Sequence, residues 1–362
     1  MKLIAKYISI CLLLTMGFMS SCSNMNDLGN RFLDEGETIY AARVYGITNT
    51  GKDRLEVVVI VPSQRVETVR IYWKDYTDSV DVHIGGETGL FSTVIDLPEG
   101  DYLFQLISFD KYGNKSLPME LSGTVLGSVY EADLVNRSIN DMYIDGTTLK
   151  VSWGNLRSGT VEMQVAYTDT DGEKVEALVA PKDNVSEFEN YATGFSYRTV
   201  YKPDSLCIDL FYADNERVLV QYRKIDKSAI TVDGASSTAA DSNPANTLDD
   251  DIATFWQSGS GGYPHYIIYD LKTRRNIARV DITASAPNSD FTEFRVDGST
   301  NAINWNQQGA PLAFADVATT QKFSLQGGLT SIRYCRLFML AGVRQETQFA
   351  EITIYEQVNE EE

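Results

Sequence analysis

The chain has 362 residues, 43% of them hydrophobic, and a formal net charge of −19. At about 100–200 residues per domain, that length accommodates two or three domains, each able to bury its own core. The acidic balance argues against a nucleic-acid partner, which would need clustered Lys and Arg, and reads as solubility.

At the N-terminus, Lys2 and Lys6 precede an apolar run, Ile8 to Phe18, followed by Met19-Ser20-Ser21-Cys22. A short charged region, an apolar stretch and small residues before a cleavage point make a secretory signal. The run is too short to persist as a membrane-spanning helix. The small residues directly before Cys22 resemble the bacterial lipoprotein box. That resemblance implies a signal peptide over 1–21, cleavage before Cys22 and acyl chains on Cys22; ordinary secretion with cleavage elsewhere is the alternative. Residues 22–37 are polar and aperiodic, as a lipidated tether would be. The location expected is the outer membrane, lipid-anchored and at the cell surface. Cys11 leaves with the signal, and Cys207 and Cys335 are expected as buried single thiols.

From Ile39 the grammar is that of strands. Leu55–Val61 is a β-branched run, Val69–Trp73 alternates, and Leu97, Tyr102, Phe104 and Leu106 fit a corner followed by a strand. Tyr102 would make a tyrosine corner and Trp73 a core aromatic, as in a fibronectin type III-like sandwich over 38–127. A second pass of the same grammar runs over 128–227. Thr148–Trp153 and Val161–Tyr167 alternate, Asp169-Thr-Asp-Gly172 signals a hairpin, and Phe195–Lys202 with Cys207–Tyr212 closes the unit. This stretch resembles an uncharacterised lipoprotein domain family of Bacteroidota. Arg70-Ile-Tyr-Trp73, Gly100-Asp-Tyr-Leu-Phe104, Phe109–Ser116, Val135-Asn-Arg137 and Tyr197-Arg-Thr-Val-Tyr201 carry that resemblance. It implies location beside carbohydrate-uptake proteins and no chemistry.

Near residue 228 the pattern changes. Asn243-Pro-Ala-Asn246, Asp249–Trp256, Tyr266–Leu271, Ile277–Ile282, Phe294–Ser299, Asn304-Trp305, Ile332–Leu337 and Ala350–Tyr355 follow in order. The series resembles the discoidin (coagulation-factor type C) domain and the galactose-binding family of carbohydrate modules over 228–357. The fold class expected is therefore all-β: two tandem Ig/fibronectin type III-like sandwiches followed by a discoidin-type jelly-roll sandwich. Trp256 and Trp305 read as core aromatics, and Arg336 as a paired scaffold arginine, with Tyr334, Arg336 and Phe338 on one face of their strand and Cys335 and Leu337 on the other.

Two places admit chemistry. In the family, the loop after the first strand and a late Glu enclose a calcium ion. Carried over, the ligands are Asn246 (carbonyl), Asp249, Asp251, Thr254, Ala350 (carbonyl) and Glu351, a hard-oxygen set suited to a structural calcium. A metal-free acidic turn is the alternative reading. The family has Gly where this chain has Asp250, a residue that tolerates unusual backbone angles. The second place is the family's ligand face, where Tyr263, Asn288, Asp290, Arg344 and Gln345 lie on the corresponding loops. The last of these, Gly342–Gln348, has no large aromatic, and ordinary polar loops are the alternative. His265, beside Pro264 at a strand start, and His83 read as structural.

No catalytic constellation assembles: HExxH, GxSxG, a phosphate-cradling Gly loop and Cys–His zinc spacing are all missing from the sequence. The function expected is a non-catalytic cell-surface lipoprotein binding a glycan or polysaccharide through its C-terminal module, serving capture or an outer-membrane uptake complex. The alternatives are an adhesin for host protein or lipid, and an accessory domain of a glycan-processing system.

Overall fold

The structure, a computed structural model, describes residues 40–285, 291–307, 309–315 and 317–359. The signal peptide and Cys22 lie outside these residues, as do Asn288 and Asp290. Strands dominate and the all-β class is borne out; the one α-helix among the described residues is the short α1 (Ser128–Ala132). No helix among them is long and apolar enough to cross a membrane. The contacts form two compact units. One is built on residues up to Val129 with Leu206–Asp209, the other on Tyr130–Ser205 and residues from Leu210 onward.

The first unit has seven strands: β1 (Tyr45–Thr50), β2 (Arg54–Val61), β3 (Thr68–Trp73), β4 (Asp78–His83), β5 (Gly89–Asp96), β6 (Gly100–Phe109) and β7 (Met119–Val125). They form a sheet β1-β2-β5 and a sheet β4-β3-β6-β7. Alternation dictates which side is buried: Leu55, Val57, Val59 and Val61 of β2 point inward with Val69, Ile71, Phe104 and Leu106. The Tyr102 hydroxyl donates to the Pro98 carbonyl at 2.8 Å, the corner bond expected of it. Trp73 is half-buried and meets Phe104 edge-on, with ring centroids 6.3 Å apart.

The second unit begins with β8 (Ile139–Asp145), β9 (Thr148–Trp153), β10 (Thr160–Asp169), β11 (Lys174–Val179), β12 (Val185–Phe188), β13 (Tyr191–Tyr201), β14 (Phe211–Tyr212) and β15 (Glu216–Arg217). It continues through β16 (Tyr222–Lys224), β17 (Thr231–Ala235), β18 (Trp256–Gln257), β19 (His265–Thr283), β20 (Phe291–Ser299), β21 (Asn306–Gln307) and β22 (Leu312–Ala313). The last strands are β23 (Thr320–Gly342), β24 (Gln348–Phe349) and β25 (Glu351–Gln357). The hairpin expected at Gly172 joins β10 to β11. Of the stretch expected to close this sandwich, Cys207–Tyr212, only Phe211 and Tyr212 are strand.

Two of the motif pieces read separately in the sequence prove to be one structural feature. The Arg137 carbonyl accepts from the Tyr197 hydroxyl at 2.9 Å, the Val135 carbonyl from the Tyr201 hydroxyl at 2.6 Å, and the Asn136 amide oxygen from the Thr199 N–H at 2.7 Å. Val135–Arg137 is thus laced onto β13. Arg137 itself is 4% exposed. Its guanidinium donates to the carbonyls of Gly154, Pro181 and Asp183 and to the Asn184 side chain at 2.8–3.1 Å.

Strand pairing continues across residue 228. The sheet β12-β9-β8 runs on through β16 into β25-β19-β23-β20-β21. β16 pairs parallel with β8 and antiparallel with β25, so three residues bridge two sandwiches. Beneath this junction Arg279 is 3% exposed and grips Asp281 with two bonds of 2.6 Å and Asp141 of β8 with one of 2.6 Å. Tyr355 and Tyr222 flank its guanidinium, with ring centroids at 4.5 and 5.3 Å. Burial opposes the charge, but the two carboxylates outweigh it and hold the Arg279 pKa above its ordinary value.

The C-terminal core gathers Trp256, Ile267, Tyr269, Phe291, Phe294, Leu337, Phe349 and Ile352. Alternation along β23 is as expected, with Cys335 and Leu337 buried and Tyr334, Arg336 and Phe338 half-buried. Arg336 pairs with the buried Asp297 at 2.7 Å, and Arg295 shares that carboxylate at 2.9 Å. Trp305 departs from expectation. It lies outside the core, half-buried, with the Arg336 guanidinium 4.2 Å over its ring. Cys207 and Cys335 are buried and not joined in a disulfide, and burial pushes the Cys335 thiol up to about 12.

Candidate functional site

Short strand pairing positions the loops at one end of the C-terminal sandwich. β18 pairs with β24, which draws the segment after Gln257 against the segment before Gln348. Ser258 N–H donates to the Thr347 carbonyl at 2.9 Å, and Thr347 N–H donates to the Ser258 hydroxyl at 3.0 Å. The latch extends outward: the Tyr263 hydroxyl donates to the Glu346 carbonyl at 3.2 Å. His265 Nε2 lies 2.7 Å from the Gln345 carbonyl, so that nitrogen carries the proton and donates. The His265 ring is 3% exposed and meets Tyr263 edge-on at 5.0 Å. His265 is therefore a scaffold residue here. Tyr263, half-buried, is thus bonded to the loop that carries Arg344 and Gln345, both exposed, and these form one rim.

The acidic loop is organised by its own backbone. Asp249 Oδ1 accepts from the Asp251 N–H at 2.9 Å and Oδ2 from the Thr254 hydroxyl at 2.8 Å. Asp251 Oδ1 accepts from the Ala253 N–H at 2.9 Å, and the Asn246 side chain donates to the Phe255 carbonyl at 3.1 Å. Asp250 has φ +63°, the left-handed region where glycine is cheapest. Ala350 and Glu351 are buried at the start of β25.

One residue that sequence reasoning missed lies at the centre of this loop. Lys227, in a 3-10 turn (Lys227–Ala229) that Asp226 caps through the Ser228 N–H, is 8% exposed. Its ammonium contacts Glu351 Oε2 and lies 2.7 Å from Asp250 Oδ1. Glu351 Oε1 is buried without a donor. Burial pushes the Glu351 carboxyl up to about 7, and Asp249 adds to this against the pull of Lys227. Nothing in the sequence around Asp226-Lys-Ser228 marks Lys227, because which charge is buried is set by tertiary contacts.

The ammonium of Lys227 stands on Glu351, one of the residues expected as calcium ligands. Among the described residues no three His, Cys, Asp or Glu side chains converge as metal ligands. The orphaned Oε1 could accept a cation, but an ion there would lie roughly 5 Å from the ammonium on Oε2.

A family model described as DUF4998, a domain of unknown function, matches residues 22–211, just over half of the chain. The chain belongs to the DUF4998 family. A second family model, the F5/8 type C domain, matches residues 232–353 of this DUF4998 protein, the segment that carries the rim and the acidic loop. No curated protein matches the chain. Among solved structures, a family 32 carbohydrate-binding module of Clostridium perfringens in complex with galactose is 18% identical, over 38% of this chain and 100% of that one, at a TM-score of 0.34. The C-terminal domain of a chitobiase from Bacteroides fragilis is 24% identical over 38% and 99%, at 0.32. An F5/8 type C domain, also from Bacteroides fragilis, is 17% identical over 38% and 98%, at 0.35.

Proposed function

We propose that this DUF4998 protein is a non-catalytic lipoprotein that binds carbohydrate through its C-terminal module, anchored by acyl chains on Cys22 in the outer membrane and displayed at the cell surface. The observation that carries the reading is the F5/8 type C match over 232–353. The rim supports it chemically. Sugar hydroxyls take paired donors and acceptors, and Arg344 and Gln345 offer both on a loop that Ser258, Tyr263 and His265 hold in place. Preorganised polar groups lose less entropy on binding. Of the three rim residues Tyr263 is the aromatic one, so the sugar's apolar face would rest on a phenol ring. Capture of polysaccharide for an uptake complex is the role that suits an anchored binder with no catalytic constellation.

The test is an array of plant and host glycans probed with the lipid-free chain, with collagen and phospholipid vesicles alongside. Binding to glycans is the expected result. Signal confined to collagen or to vesicles, with silence on all glycans, would replace this reading by an adhesin.

A further inference from the structure

We infer that Lys227 is the resident cation of the acidic loop, so that the C-terminal module holds this loop with its own ammonium and needs no calcium. Three observations meet on this point. Lys227 is a nearly buried lysine, and its ammonium bridges Glu351 of β25 to Asp250 of the loop, tying the loop to the sandwich as a bound ion would. Asp250 occupies a left-handed position that costs any residue but glycine, and its carboxylate there is what reaches Lys227. The turn that aims Lys227 is itself fixed: Asp226 accepts from Ser228 N–H at 2.9 Å, and Ile225, the residue before that cap, is pinned by its N–H to the Ile354 carbonyl at 2.9 Å.

The cation therefore comes from the connector, upstream of the segment 232–353 that matches the F5/8 type C domain. A buried carboxylate is tolerated only when paired, and here the partner is covalently part of the chain. An internal ammonium also differs from calcium in kind. It cannot be removed by a chelator or by dilution, so the loop's order would not follow the calcium concentration outside the cell.

The experiment is thermal unfolding of the full chain after chelator treatment, with and without millimolar calcium, joined to terbium luminescence on the same protein. The wild type should melt at the same temperature in both conditions and give no calcium-displaceable terbium signal. Lys227→Met should melt lower than wild type and should gain a calcium-dependent rise in melting temperature, because Asp249, Asp250 and Glu351 are then left without their cation. A wild-type melting temperature that rises with calcium and falls with chelator would overturn the inference, as would a Lys227→Met chain as stable as wild type. If Lys227→Met does not fold, the wild-type terbium measurement still decides: a displaceable signal contradicts the inference and its absence upholds it.

Discussion

Arg137 shows what a single side chain does in this protein. It is a buried cation whose guanidinium donates to three carbonyls and one side-chain amide, with no carboxylate among these acceptors. Burial lowers its pKa accordingly, but an arginine stays charged at any working pH. Replacing it with Met of similar reach would strip donors from three carbonyl groups at once. Each orphaned buried acceptor costs about 1–3 kcal/mol, so Arg137→Met should destabilise the second unit by about 3 kcal/mol or more. A lowered urea midpoint at an unchanged slope is the readout. The residues of this feature were visible in the sequence as Val135-Asn-Arg137 and Tyr197–Tyr201, but their union was not, because the two pieces lie about sixty positions apart. Lys227 was illegible for the same reason. Its two partners come from a loop and from the last strand, and only the fold brings them to one point.

Strands were the most legible elements. Leu55–Val61 alternates with a period of two, and burial follows that period residue by residue; Tyr334–Phe338 does the same. Short strands were not legible: β16 has three residues and β18 and β24 have two each, too few for any period. Between the long strands β19 and β23, Asp270 receives two bonds of 2.9 Å from Arg333 and two from Lys272, at 2.8 Å from its backbone N–H and 3.3 Å from its ammonium. The Arg333 guanidinium, foremost, holds the Asp270 carboxyl well below the usual carboxylate range. A depressed carboxylate contributes stability that is present above its unfolded pKa, about 3.9, and is lost as pH falls through the lower folded value. The melting temperature should therefore drop as the pH falls below about 4. Asp270→Asn should lower it at neutral pH and flatten that acid limb; a limb of unchanged steepness in Asp270→Asn would assign the acid sensitivity to other carboxylates.

Across the whole molecule, three sandwiches share two compact units, because the second sandwich and the C-terminal module are joined by a continuous sheet. The pattern change near residue 228 separates two hydrophobic cores that strand pairing joins. Arg279 sits under the junction with a carboxylate from each side. Removing it leaves the buried Asp281 uncompensated, while Lys322 still holds Asp141 at 2.6 Å, so Arg279→Met should cost about 3 kcal/mol. Calorimetry should show the second sandwich and the C-terminal module melting together in the wild type; separate transitions for the two would contradict a continuous sheet as the source of their coupling.

The rim is the central claim, and isothermal titration calorimetry with a glycan drawn from the array tests it most directly. The Arg344→Ala, Gln345→Ala double variant should melt like the wild type, since both side chains are exposed, yet lose at least about tenfold in affinity, the factor that 1.4 kcal/mol of lost contacts confers. A double variant that binds the glycan as tightly as the wild type would place the binding site elsewhere on the chain and contradict the account.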